Sequence, residues 1–198
     1  MYDFAKIEQK WRQKWTEQNL YITPDSPKNK FYLLEMYAYP SGDIHIGHFR
    51  NYGVGDTVWR YLRMNGYDLL HPFGWDAFGL PAEQAAIKRG LPPREWTINN
   101  IETGKKTIQK LGISYDWNRE IRTCEPDYYK WTQWVFLKLH QAGLVYRDTS
   151  AVNWCPSCKT VLANEQIVGG KCWRCGSIVE KRELEQWIVN ITAYAQRL

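Results

Sequence analysis

The sequence predicts an α/β fold in which a parallel sheet covered by helices is followed by a small cysteine-rich module. Two observations support this prediction. A strand, a glycine-containing turn, a helix and a second strand follow one another between residues 31 and 71, which is the order of a βαβ unit. Two Cys-x-x-Cys pairs lie in the last quarter of the chain, at a spacing typical of a zinc ribbon.

Length and composition are those of an ordinary globular protein. The chain has 198 residues, 44% hydrophobic and 24% charged, which suffices for one domain with a small module. A net charge of +5 allows a nucleic-acid partner without indicating one. No apolar signal sequence is present, and no uncharged apolar run approaches the roughly 20 residues of a membrane span. We therefore expect no membrane contact and a cytoplasmic location, where cysteines stay reduced.

The first predicted element is an amphipathic helix over residues 4–18, with Asp3 as its N-cap. Apolar side chains recur along it at spacings of three and four, which predicts a stripe that faces the core. The stripe consists of Phe4, Ile7, Trp11 and Trp15.

The βαβ unit follows, and more helices come after it. It comprises a buried strand at 31–36, a turn at 39–43, a helix at 46–65 closed by Gly66, and a strand at 67–71. Further helices are predicted at 81–89, 93–111 and 126–142, the last two from a proline at the start and a glycine beyond the end. From Val145 the pattern changes to short extended pieces around the cysteines, ending with a strand-like run at 186–191.

Four of the five cysteines are candidate metal ligands. Cys155, Cys158, Cys172 and Cys175 form two Cys-x-x-Cys pairs separated by 13 residues. Four thiolates suit tetrahedral zinc and leave no position open for substrate, so we expect a structural Zn²⁺. Disulfides are the alternative, which a reducing compartment disfavours. Cys124 stands alone and is interpreted as a buried, inert thiol.

The turn between the first strand and the long helix is the candidate nucleotide site. Ligands of an open parallel sheet bind beyond the carboxyl ends of its strands, where helix N-termini offer amides and a positive dipole end. His45 and His48 bracket the first helical turn and can donate hydrogen bonds to phosphate oxygens, while Gly47 lets a flat base approach the backbone. The other two histidines, His71 and His140, are interpreted as surface or satisfied core residues.

His-Ile-Gly-His after a strand is the signature of the class I aminoacyl-tRNA synthetases and related nucleotidyl transferases. The segments around it are more specific, and over essentially all 198 residues the chain resembles the leucyl-tRNA synthetase family of the bacterial type. In the isoleucyl relatives a histidine stands at the place of Phe78. The segments that carry the resemblance are Glu35–Gly42, Arg50–Tyr52, Gly74–Glu83, Tyr115–Trp117, Ser150–Pro156 and Leu162–Gln166.

This resemblance implies the first half of a class I Rossmann-like (HUP-type) parallel-sheet catalytic domain with a small inserted zinc ribbon. The half-domain would span residues 1–145, the zinc ribbon 146–185, and the start of a connection to an editing domain 186–198. In this family ATP and leucine give leucyl-adenylate and pyrophosphate, and the leucyl group then passes to tRNA(Leu). The leucine carboxylate is already ionised at neutral pH, so the first step needs in-line placement and oxyanion stabilisation and no general base.

The resemblance also assigns roles to residues. It implies that His45 and His48 are catalytic and that Mg²⁺ accompanies ATP. Asp76 would bind the leucine ammonium group, although a turn residue is the alternative. The wall of the leucine pocket would be Met36, Tyr37 and Tyr39, for which a core role is the alternative. The ATP-binding residues would be Pro40, Gly42, His45, Gly47, His48 and Asn51.

The chain departs from the family pattern in two respects. Tyr37-Ala38 stands where the family usually has Phe-Pro, so an extra hydroxyl either alters the pocket or points to water. The second family signature, Lys-Met-Ser-Lys-Ser, does not occur in these 198 residues. We therefore expect an N-terminal half that needs the C-terminal part of the synthetase, is weak or inactive alone, and cannot proofread.

Two other functions stay open at this point. The chain could be a non-catalytic module that holds a nucleotide, an adenylate or a tRNA end. It could also be a different nucleotidyl transferase that shares only His-x-Gly-His, although the zinc module and the segment around Asp76 argue against this. A sheet with half its strands would also expose an unpaired edge and favour self-association.

Overall fold

Two parallel two-stranded sheets organise the first of the two units into which the chain divides. The computed structural model describes residues 2–198; one unit extends to Tyr129, and the other comprises Lys130–Leu198. The strands of the first unit are β1 (Lys30–Tyr32), β2 (Asp68–Leu70), β3 (Pro72–Trp75) and β4 (Asp116–Arg122). β1 pairs in parallel with β2, and β3 pairs in parallel with β4. The parallel pairing of β1 with β2, which a long helix separates in the sequence, confirms the predicted βαβ unit.

All five predicted helices are present, with ends within two residues of the predicted ones. Asp3 caps the first, because its Oδ1 accepts a hydrogen bond from the Lys6 N–H at 3.1 Å. Gly66 and Gly112 follow two others with positive φ angles of 81° and 70°, a conformation that favours glycine. The helices are α1 (Phe4–Glu17), α2 (Ile46–Met64), α3 (Leu80–Ile87), α4 (Pro93–Leu111) and α5 (Pro126–Gln141).

The prediction that α1 presents a core-facing stripe is wrong. No residue of Phe4–Glu17 is buried, and the Phe4 and Trp11 side chains are exposed. The Trp15 ring is half-buried, at 6.1 Å from the Tyr21 ring and 4.6 Å from the Arg60 guanidinium. Periodicity identifies an apolar face, but it does not show how much of that face the rest of the described chain covers.

The predicted buried strand at 31–36 is also different in the structure. Only Lys30–Tyr32 lies in a ladder, and all three residues are exposed. Beyond it, Leu33 and Glu35 are half-buried whereas Leu34 and Met36 are exposed. β1 has one strand neighbour within residues 2–198, so it is an edge strand.

The core of the first unit lies between the sheet and α4. Trp75 and Tyr115 are almost completely buried there, together with Ile101 and Ile108 of α4. Gly104 allows this contact, because a Cβ at its position would lie 2.7 Å from Trp75 Cη2. α4 therefore packs directly on the end of β3, next to Asp76.

The second unit is built on an antiparallel sheet. It contains β5 (Val145–Cys155), β6 (Thr160–Leu162), β7 (Ile167–Val168), β8 (Lys171–Cys172) and β9 (Glu180–Val189). β5 lies between β6 and β9, and β7 pairs with β8. The predicted strand at 186–191 corresponds only to the end of β9, since Ile191–Tyr194 forms a 3₁₀ turn. None of the helices in residues 2–198 combines the length and apolarity that a bilayer crossing demands.

Candidate active site and metal centre

The two signature histidines hold the first turn of α2 through their own rings. His45 is the N-cap, and its Nδ1 accepts a hydrogen bond from the Gly47 N–H at 3.2 Å. His48 Nδ1 in turn accepts from the His45 N–H at 3.2 Å, and the two ring centroids lie 4.0 Å apart. Because each Nδ1 is an acceptor, the proton of a neutral ring lies on Nε2, which is then a donor. The pair therefore offers two Nε2–H donors.

Two features of this helix start differ from the sequence interpretation. The His45 and Gly47 amides, which were expected to face a ligand, are occupied by the histidine rings. A Cβ on Gly47 would lie 3.0 Å from His45 Cε1, so this glycine makes room for the His45 ring as well as for any base. The rings remain the predicted donors, whereas these two amides are already occupied.

His48 is a neutral donor at pH 7. Partial burial lowers its pKa below the ordinary value, and the neighbouring His45 lowers the pKa further. The ring also lies parallel to Tyr52, with centroids 6.0 Å apart. A neutral imidazole keeps its Nε2–H donor without placing a charge at the helix N-terminus.

The turn before α2 begins at the buried Pro40 and continues to the exposed Gly42. Pro40 is buried, and its carbonyl oxygen accepts a hydrogen bond from Asn100 Nδ2 at 2.9 Å. Gly42 is exposed, and no atom lies within 4 Å of its missing side chain. Asn51 is exposed one turn into α2. Pro40, Gly42 and Asn51, which are expected to bind ATP, therefore belong to the same segment as the histidines.

The expected leucine wall is largely open. Met36 and Tyr39 are 58% and 56% exposed, so they are not core residues. The Tyr37 ring is half-buried against Gly74, where a Cβ would lie 2.4 Å from Tyr37 Cζ. Burial is the main cause that raises the pKa of Tyr37, so its hydroxyl stays protonated at neutral pH.

Asp76 lies beside this wall because backbone hydrogen bonds join the two segments. The Ala38 N–H donates to the Gly74 carbonyl oxygen at 3.1 Å, and the Asp76 N–H donates to the Ala38 carbonyl oxygen at 2.9 Å. Asp76 follows the carboxyl end of β3 and is half-buried. Its carboxylate is placed where a parallel sheet binds ligands.

The four predicted ligand cysteines come together in the second unit. Their Sγ atoms all lie within 4.8 Å of one another, and Cys155 Sγ and Cys175 Sγ are 3.4 Å apart. A tetrahedral site with Zn–S bonds of about 2.3 Å needs sulfur atoms about 3.8 Å apart, so the cluster fits a metal ion. Hydrogen bonds from Ser177 lower the pKa of Cys175 to about 6, whereas burial raises the pKa of Cys158 to about 12. The buried thiol therefore requires a cation to ionise at neutral pH.

The remaining cysteine and histidines behave largely as expected. Cys124 is half-buried outside the cluster, and burial raises its pKa, which makes it an unreactive thiol. His140 is exposed on α5, with its ring 5.7 Å from that of Trp187. His71 is completely buried and hydrogen-bonded.

Sequence reasoning missed one feature near the site, namely the carboxylate that faces His71. Glu35 Oε2 lies 3.1 Å from His71 Nε2. The signal was present in the sequence, because Glu35 is the one charged residue within the apolar run Phe31–Met36. A charge in such a run needs a buried partner.

Parallel strands with two histidines at a helix N-terminus beyond a strand end are typical of the α/β fold of class I synthetases. Residues 10–198 match the model of the family "tRNA synthetases class I (I, L, M and V)", and the chain belongs to this family. Two curated relatives are named as a leucine–tRNA ligase or a subunit of one. The chain is 56% identical over 193 residues to the leucine–tRNA ligase subunit alpha of Aquifex aeolicus and 59% identical over 194 residues to the leucine–tRNA ligase of Thermotoga maritima.

These relatives are much longer than the chain. The matches cover 98% of the chain but only 30% of the Aquifex protein and 24% of the Thermotoga protein. A solved LeuRS–tRNA–LeuAMS complex from Agrobacterium radiobacter superimposes with a TM-score of 0.91 at 47% identity, over all of the chain and 25% of that protein. The methionyl-tRNA synthetase of Mycobacterium tuberculosis, solved with methionyl-adenylate, gives a TM-score of 0.70 at 25% identity, over 86% of the chain and 34% of that protein.

Proposed function

We propose that the chain is the N-terminal half of a leucine–tRNA ligase. It binds ATP and leucine, forms leucyl-adenylate, and charges tRNA(Leu) together with the rest of the enzyme. The observation that carries the proposal is the pair of Nε2–H donors of His45 and His48 at the N-terminus of α2, in a chain of this family. The names of the relatives favour leucine as the substrate.

The two histidines act on the phosphate of ATP in this proposal. The leucine carboxylate attacks the α-phosphate in line, and negative charge grows on the phosphate oxygens during transfer. The Nε2–H groups of His45 and His48 donate hydrogen bonds to these oxygens and stabilise them without accepting a proton. Mg²⁺ bound with ATP would supply further positive charge. The other ATP-binding residues are Pro40, Gly42, Gly47 and Asn51.

Leucine is oriented from the other side of the site. The Asp76 carboxylate binds the ammonium group through a charge-assisted hydrogen bond. Met36, Tyr37 and Tyr39 form one wall for the side chain. The exposure of Met36 and Tyr39 supports this role, because such side chains gain apolar contact only when a ligand or another segment covers them.

The cysteine cluster is proposed to hold a structural Zn²⁺ in the module at 146–185, between the half-domain at 1–145 and a connection at 186–198. All four ligands come from the protein, which leaves no position for substrate. The C-terminal part of the synthetase is the expected partner, and the proposed location is the cytoplasm.

The experiment compares two replacements of His48 that separate its two hydrogen bonds. In His48→Asn the side-chain oxygen can replace Nδ1 as the acceptor from the His45 N–H, but no donor reaches the position of Nε2. In His48→Gln the amide nitrogen reaches that position and restores a donor. His140→Asn is the matched control at an exposed histidine.

The measurements are calorimetric binding of leucine and ATP, and leucine-dependent exchange of labelled pyrophosphate into ATP with the C-terminal part of the synthetase added. Loss of one oxyanion donor costs about 10²–10³-fold in rate, so exchange should nearly vanish in the asparagine variant and survive in part in the glutamine variant. Nucleotide binding without any exchange would favour the non-catalytic module instead. Equal activity of the two His48 variants would contradict the proposed role of Nε2.

A further inference from the structure

A buried polar cluster lies between the leucine wall and the histidine helix. Glu35 Oε2 lies 3.1 Å from His71 Nε2 and also accepts a hydrogen bond from the Tyr115 hydroxyl. His71 Nδ1 lies 2.9 Å from the carbonyl oxygen of Ser114. His71 and Tyr115 are fully buried, and the Glu35 side chain is only 9% exposed. The mechanism proposed for adenylate formation uses none of these groups.

The hydrogen bonds determine how many protons the cluster holds. The Ser114 carbonyl can only accept, so His71 Nδ1 carries a proton and donates it. A second proton must lie between His71 Nε2 and Glu35 Oε2, since two lone pairs at 3.1 Å would repel each other. The hydroxyl of Tyr115 donates to the same oxygen. One shared proton therefore joins His71 to Glu35, and Glu35 Oε2 holds two partners at once.

Core stability is a poor reason for this cluster to exist. Buried polar groups lose their hydrogen bonds to water, and the hydrogen bonds that they make in a core do little more than replace these. The cluster is also incompletely satisfied. Within residues 2–198 Glu35 Oε1 and the buried Tyr52 hydroxyl have no hydrogen-bond partner. Such a costly arrangement is typical of groups that fix the geometry of a functional site.

The contacts of Glu35 show which parts of the site it joins. It directly precedes Met36 and Tyr37 of the leucine wall. On the other side its carboxylate lies against Gly55 of α2. It occupies the space of a side chain there, since a Cβ on Gly55 would lie 1.7 Å from Glu35 Oε1. The carboxylate thus lies where the leucine wall meets the helix that carries the signature histidines.

Aromatic contacts continue this connection to the histidines. The Tyr115 ring, whose hydroxyl binds Glu35, meets the Tyr52 ring edge to face with centroids 6.0 Å apart. Tyr52 in turn lies parallel to the His48 ring at 6.0 Å. Movement of Glu35 would therefore change the position of His48 relative to the wall.

We propose that Glu35 and His71 are positioning residues that hold the leucine wall and the histidine helix in register, so that the two substrates meet correctly. They act through Met36, Tyr37 and α2 and do not touch substrate themselves. This inference rests on the proposed function, because it assigns the two subsites to leucine and ATP.

The test uses Glu35→Gln, which keeps the size of the side chain but removes the proton that Glu35 shares with His71. Glu95→Gln, at an exposed position on α4, is the matched control. Calorimetry measures the affinity of this chain for three ligands. They are leucine, ATP and a sulfamoyl analogue of leucyl-adenylate, which joins the leucyl and adenosine parts in one molecule. A joined ligand exceeds its separate parts only where both subsites stand in the right relative position.

We expect the analogue to lose at least about tenfold in affinity in Glu35→Gln, while leucine and ATP each change by less than about threefold. Tyr115→Phe removes one hydrogen bond from Glu35 and keeps the ring, so it should give the same pattern with a smaller loss. It also serves if Glu35→Gln does not fold. A merely structural role would weaken all three ligands together.

Two results would overturn the inference. The analogue could bind Glu35→Gln as tightly as the parent chain, or all three ligands could weaken in parallel in both variants. If the parent chain binds none of the three ligands, the proposed function fails and the positioning role fails with it. If the parent binds them and only the variant pattern is absent, the positioning role alone is wrong.

Discussion

Replacement of Gly104 by alanine tests how firmly Trp75 is held beside Asp76. Gly104 is buried in the middle of α4, and a Cβ there would lie 2.7 Å from Trp75 Cη2 and 3.1 Å from Cζ3. The Trp75 ring is 1% exposed, and its Nε1 donates a hydrogen bond to Glu120 Oε1 at 2.9 Å. The ring therefore has no free space into which it can retreat, and either the ring or α4 has to shift.

The expected size of the effect follows from two opposing terms. Alanine stabilises a helix interior by about 1 kcal/mol relative to glycine. Overpacking of a close-packed core costs about 1–3 kcal/mol. Gly104→Ala should therefore destabilise the first unit by about 0–2 kcal/mol. Gly53→Ala is the control on α2, because its Cβ would meet only the Phe49 ring at 3.7–4.0 Å and should stabilise by about 0.5–1 kcal/mol.

The assay is thermal unfolding of both variants, followed by near-ultraviolet circular dichroism of the tryptophans. Both glycines belong to the first unit, so the helix term cancels and the two variants should differ by about 1–3 kcal/mol. At roughly 3–5 °C per kcal/mol for a unit of this size, Gly104→Ala should unfold several degrees below Gly53→Ala. It should also bind leucine more weakly, since Trp75 adjoins Asp76. If Gly104→Ala is as stable as Gly53→Ala, the described packing of Trp75 is wrong.

Three further predictions concern the metal and the two substrate subsites. Elemental analysis should find about one zinc per chain, lost in Cys175→Ser and kept in Cys124→Ser, and metal-free parent protein would refute the site. NMR titration should place the pKa of His48 below its ordinary 6.5 and show it rising in His45→Asn. Between that lowered pKa and 6.5 the folded chain binds fewer protons than the unfolded one, so stability should fall as the pH drops below 6.5. Asp76→Asn should weaken leucine at least about tenfold with little effect on ATP, and equal losses would count against the ammonium contact.

Helices and metal ligands were predictable because their signals are local. Prolines at the starts of α4 and α5 and glycines after their ends identify both helices from a few neighbouring residues. The cysteine spacing likewise predicts a cluster, since two short knuckles can present four sulfur atoms to one point. Neither inference depends on how distant parts of the chain pack.

Other features depend on such packing and were missed or predicted incorrectly. β4 has the polar sequence Asp116–Arg122, which lacks an apolar alternation and still pairs in parallel with β3. The apolar face of α1 is real as a pattern, but the described chain covers it only around Trp15. The role of Gly104 became visible only when α4 was found on Trp75.

The spacing of the signature histidines has a structural cause that precedes any ligand. The side chain at the third helical position is the one that can return to the N-cap amide, and His48 occupies that position behind His45. Gly47 stands at the second position, where a Cβ would press on the His45 ring. Ile46 is 80% exposed and makes none of these contacts, which explains how a signature can tolerate variation there. The geometry that presents two Nε2–H donors is therefore encoded in the capping of α2 itself, and a substitution of either histidine disturbs the other.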